Sequence, residues 1–141
     1  MRNNGSTFEF TTERNEELLK SYRMILGKYR HIDTDVVAEE LANSPTSRFW
    51  VSEERAAVVV GNMMNGKNVL DDMRPTKREM FSEIFRRTME LKDKMPHLKI
   101  CDLVSKTVNS PAPKFYMTPR TAMETIRKIM KGCYKNRTKN N

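Results

Sequence analysis

The chain says nearly the same thing twice, 66 residues apart. Asn43-Ser44-Pro45-Thr46-Ser47-Arg48-Phe49-Trp50-Val51-Ser52 returns as Asn109-Ser110-Pro111-Ala112-Pro113-Lys114-Phe115-Tyr116-Met117-Thr118. Carried outward without a gap, residues 13–66 align with 79–132. Glu13/Glu79, Glu17/Glu83, Lys28/Lys94, His31/His97, Ala56/Ala122, Met64/Met130 and Gly66/Gly132 are identical, and most other aligned positions keep their character. A doubled unit takes precedence over any element-by-element reading of a fold.

Each copy is short for a self-sufficient core, so the two are expected to pack together. In the first copy Leu18, Leu19, Tyr22, Ile25, Leu26 and Tyr29 recur at helical spacing; in the second Phe81, Ile84, Phe85, Thr88 and Leu91 do so. Thr76-Lys77-Arg78-Glu79 has the form of a capping box in front of the second set. A shorter helix follows, over 33–42 and 97–108. In the shared Asn-Ser-Pro, Asn suits a left-handed helix stop, Ser an N-cap and Pro a first helical position. A short third helix is therefore predicted there, with Ser52 and Thr118 capping a final one that ends at Gly66 or Gly132. Ala56-Ala57-Val58-Val59-Val60 alone reads as strand, but its mate Ala122-Met123-Glu124-Thr125-Ile126 has helical spacing and decides for helix.

The predicted class is all-α: two tandem copies of a three-to-four-helix unit packed together. The organisation is a flexible arm over 1–10, a first repeat over 11–66, a connector over 67–76, a second repeat over 77–132 and a polar basic tail over 133–141. Phe8 and Phe10 are candidates to pin the arm to the core.

The net charge of +8 is unevenly placed along the chain. Residues 1–70 hold 9 Lys/Arg against 10 Asp/Glu, and residues 71–141 hold 17 against 8. A polyanion near the second half is the expected consequence. No apolar run approaches the length of a membrane-spanning helix, and the first residues lack a signal-type stretch. Cys101 and Cys133 form no metal-type spacing and read as reduced thiols of a cytoplasmic protein.

The stretch from Val37 to Trp50 resembles a helix-turn-helix, with Ala38, Ala42 and Ser44 at the spacings of that family; Val104, Val108 and Ser110 match less well. Where the family has a buried aliphatic residue in its recognition helix, this chain has Arg48 and Lys114. The doubled unit also looks like the tandem homeodomain-like modules of some transposases and regulators. More loosely, it resembles small uncharacterised proteins of Bacteroides-type bacteria and their mobile elements. The resemblance implies a non-catalytic protein that binds nucleic acid, duplex DNA first. Cations would neutralise phosphates while a recognition helix meets the major groove. Arg48, Lys99, Lys106, Lys114, Arg120, Arg127, Lys128 and Lys131 are the candidate contacts.

The aromatic pairs Phe49-Trp50 and Phe115-Tyr116 are stacking surfaces for bases on one reading and core anchors on the other; core is preferred. The matching His31 and His97 lack companion metal ligands. No Gly-rich phosphate loop and no nucleophile–base pattern suggests an enzyme, and neither a cofactor nor a metal is expected. Val58 and Val59, whose mates are Glu124 and Thr125, leave the first copy with an apolar surplus. It suits internal packing, self-association or a protein partner. The alternative function is accordingly a protein–protein interaction or phage and mobile-element accessory module that never touches nucleic acid.

Overall fold

A computed structural model describes residues 4–132, with side chains from Phe10 onward. The expected tail over 133–141, with Cys133, lies outside the described residues, as do Met1–Asn3 and the Phe8 side chain. Among the described residues there are six helices and no strand: α1 Asn4–Leu26, α2 Thr34–Ala42, α3 Glu53–Met64, α4 Pro75–Lys94, α5 Ile100–Val108 and α6 Pro119–Met130. The bounds of α5 and α6 are those of α2 and α3 moved on by the repeat offset of 66.

Local signals account for the helix ends. Ser52 Oγ accepts from the Arg55 amide, and Thr118 Oγ1 accepts from the Thr121 amide. Asp33 caps α2 through the amides of Asp35 and Val36. After α3, Gly66 takes φ +78°, and the Lys67 amide donates to Asn62 O at 3.0 Å, the paired closure that a left-handed glycine permits.

Several expectations are corrected. Helix α1 begins at Asn4, so much of the stretch set aside as a flexible arm is helical. Helix α4 starts at Pro75 after Arg74, with no side-chain cap; proline at the first helical position supersedes the capping box expected from Thr76. Asn43 and Asn109 keep φ of −98° and −89° rather than turning left-handed. Their Nδ2 groups instead donate to the carbonyls of Glu39 and Ser105, each at 2.9 Å.

The largest correction concerns the third helix of each repeat, which is not formed. Ser44 Oγ donates back to Glu40 O at 2.9 Å, and Ser110 Oγ to Thr107 O at 2.6 Å, so neither serine serves as an N-cap. The Thr46 amide donates to Ala112 O, and the Ala112 amide to Thr46 O, both at 3.0 Å. The Phe49 amide donates to Val108 O at 3.0 Å. These partners satisfy backbone groups that a helical turn would otherwise have claimed.

The helices fall into two compact units that do not follow the repeats. Unit 1 takes residues 1–44 and 117–141, where α1, α2 and α6 pack on one another. Unit 2 takes residues 45–116, where α3, α4 and α5 do the same. Each unit thus has the first two helices of one copy and the last helix of the other. The core of unit 2 gathers Phe49, Val51, Ala56, Val59, Val60, Met80, Phe81, Ile84, Val104, Val108 and Ala112. Unit 1 buries Leu18, Ile25, Val37, Leu41, Ala122 and Ile126. It also buries the polar Asn15 and Thr125, whose mates in unit 2 are Phe81 and Val59.

Candidate nucleic-acid interface

The eight cations singled out from the sequence do not meet on one unit. Arg48, Lys99, Lys106 and Lys114 belong to unit 2, and Arg120, Arg127, Lys128 and Lys131 to unit 1. Among the described residues, unit 1 holds 9 Lys/Arg against 9 Asp/Glu and unit 2 holds 13 against 9. Unit 1 is therefore balanced as a whole over its described residues, and local surface becomes the relevant guide to its cations.

Two of the candidates are engaged by their own chain. Arg48 donates through Nε to Phe49 O at 3.0 Å and through Nη2 to Val51 O at 2.9 Å, with its guanidinium 5.6 Å from the Trp50 ring centre. Lys114 is ion-paired with Glu79 at 2.8 Å and lies 5.8 Å from the Tyr116 ring centre. Lys99 and Lys106 are exposed at opposite ends of α5.

Helix α6 is different. Ala122, Met123, Thr125 and Ile126 form its buried side, while Arg120, Arg127 and Lys128 within it and the C-capping Lys131 are exposed. At 3.6 residues per turn, positions 120, 127 and 131 share one stripe, with 128 beside it. Glu124 stands in that stripe and pairs with Arg120, Nε to Oε2, at 3.3 Å. Arg127, Lys128 and Lys131 make no ion pair with a described residue. Cations in a last turn also suit the helix dipole, which lowers the cost of gathering them there. The mates of this face on α3 are Glu54, Gly61, Asn62 and Asn65, so α3 presents no such surface.

A groove of about 530 Å³ runs beside the cations within unit 1. Its α6 wall carries Thr118, Pro119, Arg120, Met123 and Arg127, and its α2 wall Thr34, Asp35, Ala38 and Glu39. Asp35 and Glu39 were not among the sequence candidates. They lie some eighty residues before α6 and meet it through the helix exchange, which no local pattern announces. Only their spacing of one helical turn on α2 was there to be read.

In unit 2 the corresponding ground is occupied by the chain itself. Glu53, the mate of Pro119, accepts from Asn109 Nδ2 at 2.9 Å, and that bond, followed by one from Ser105, holds its carboxyl below the usual range. Close by, Arg87 donates to Glu83 at 2.7 Å and to Pro111 O at 2.7 Å, with its guanidinium 5.1 Å from the Phe49 ring centre. Phe49 and Tyr116 stack at 5.9 Å, and Tyr116 holds a positive φ of 59°. Phe49 and Phe115 are buried; Trp50 and Tyr116 are half-buried. These aromatics organise unit 2, as the preferred core reading had it. His31 and His97 both lie exposed in the turns after α1 and α4. Among the described residues no three His, Cys, Asp or Glu gather closely enough to hold a metal ion, and no helix is long and apolar enough to cross a membrane.

No protein-family model, curated protein or solved structure matches this chain significantly.

Proposed function

We propose that this chain is a non-catalytic, cytoplasmic nucleic-acid-binding protein that meets duplex DNA through the exposed face of α6. The observation that carries the reading is the grouping of Arg120, Arg127, Lys128 and Lys131 on the solvent side of one helix. That helix closes a three-helix unit with α1 and α2. A row of long exposed cations gains free energy on a phosphate backbone by displacing condensed counterions. Phosphate contacts position a protein without reading sequence, so this face alone supplies affinity rather than specificity. Arg48 and Lys114, already committed to their own chain, have no part in it. The test is the salt dependence of duplex binding in variants of α6.

A second reading, a protein-interaction module, is favoured by one observation. Tyr29, Ile32 and Val36, around the turn from α1 to α2, are 38%, 52% and 46% exposed. Association with a protein that survives neutralisation of the α6 cations and is lost on Ile32→Ser would favour it.

A further inference from the structure

We infer that the groove between α2 and α6 receives a single unstacked nucleotide whose base carries its amine at the C6 position of a purine or the C4 position of a pyrimidine, adenine or cytosine. This deepens the nucleic-acid reading of α6 and rests on it. The groove, at about 530 Å³, has room for a base with its sugar, and its walls are chemically unlike. Arg120 and Arg127 on α6 offer guanidinium donors suited to a phosphate oxygen. Asp35 and Glu39 on α2 are acceptors only, and a carboxylate in nucleic-acid recognition pairs with an amino group. Ala38 and Met123, 7% and 8% exposed, supply an apolar floor, and a thioether packs well against an aromatic edge.

The order donor wall, apolar floor, acceptor wall matches the order phosphate, base, amino group along such a nucleotide. Thymine and uracil present a carbonyl where adenine and cytosine present the amine. Placed against Asp35 and Glu39, that oxygen meets another acceptor and is rejected. Unit 2 shows what the same ground looks like when the chain's own groups fill it. There Glu53 replaces Pro119, and its carboxylate is held by Asn109 and Ser105. Gly61, the mate of Arg127, brings no cation.

The experiment is equilibrium binding of the full chain to fluorescent single-stranded homopolymers of dA, dC and dT at fixed low salt. Wild type is expected to prefer dA and dC over dT by about tenfold, the scale of one well-paired base contact. The double variant Asp35→Ala, Glu39→Ala is expected to reduce that preference to within about twofold; circular dichroism would confirm that α2 is retained. Competition with AMP and CMP against TMP separates a free nucleotide from a base held in a strand. Displacement by the mononucleotides alone would assign the groove to the former. Equal affinity for the three homopolymers, or a preference untouched by the double variant, overturns the inference, leaves the groove to a peptide, and keeps phosphate binding by α6 intact. Absence of binding to every polymer overturns the inference, while the duplex reading of α6 stands or falls on its own salt titration with duplex DNA.

Discussion

Thr46 and Ala112 hydrogen-bond to one another in both directions, N to O at 3.0 Å each way, and they are each other's repeat mates, 66 positions apart. The two copies of the shared phrase therefore meet at the same residue of each. Thr46 also accepts from Trp50 Nε1 through Oγ1 at 2.8 Å, which Ala112 cannot do. Thr46→Ala, which installs the mate's residue, keeps the backbone pair and removes the hydroxyl that accepts from the indole. Its expected cost is about 1 kcal/mol. Thr46→Pro deletes the amide and strands the buried Ala112 carbonyl, with an expected cost of about 3 kcal/mol. Urea denaturation of the two variants should show this order; equal costs would mean that the bridge contributes little.

Phe49 and Phe115 are 0% and 3% exposed, so each ring fills a site that alanine would empty. Phe49→Ala and Phe115→Ala should each lose about 3–5 kcal/mol of stability by chemical denaturation. A loss under about 1 kcal/mol for either would place that ring at the surface and revive a base-stacking role.

Helix positions were legible where the cause is local. The apolar spacing of Ala56, Val60 and Met63, the caps Ser52 and Thr118, and the stop at Gly66 sit within a few residues of what they control. The exchange of α3 and α6 was not legible, because both helices have equivalent buried faces and no local signal states which copy each will cover. The short third helix failed for the same reason. Ser-Pro is a valid start signal in isolation, but the long-range Thr46–Ala112 pair and the back-bonding of Ser44 and Ser110 take up those groups. Of the candidate site, the α6 cations could be read from charge alone. Their acidic neighbours Asp35 and Glu39 could not, since they adjoin α6 only through that exchange.

Asn15 is 6% exposed and its Nδ2 has no hydrogen-bond partner among the described residues, while its Oδ1 accepts from Arg14 Nη2 at 2.9 Å. Its mate is the core residue Phe81. Replacing a buried unpaired amide with an apolar group of similar size removes a desolvation penalty, so Asn15→Leu should raise stability by about 1 kcal/mol. A destabilised Asn15→Leu variant would indicate that the amide has a role in unit 1 beyond packing.

Tyr116 has its phenol pushed up to about 12, first by burial and then by the nearby carboxylates of Glu83 and Glu79. A raised folded-state value means that its contribution to stability is complete below the ordinary tyrosine range near 10 and is lost as pH rises towards 12. Tyr116→Phe should therefore weaken the alkaline loss of stability in that window and leave neutral-pH stability nearly unchanged. Thermal melts at intervals from neutral to strongly alkaline pH would check this. An unaltered alkaline profile would show that Tyr116 ionises freely.

Binding of duplex DNA as a function of salt bears most directly on the α6 interface. With Arg120, Arg127, Lys128 and Lys131 each neutralising a phosphate, log affinity should fall against log salt with a slope of about −3 to −4. The triple variant Arg127→Ala, Lys128→Ala, Lys131→Ala should flatten that slope by about three units, whereas Lys99→Ala with Lys106→Ala on α5 should shift it by less than about one. Wild-type affinity and slope in the triple variant, or no duplex binding by the unaltered chain at low salt, would contradict an interface on α6.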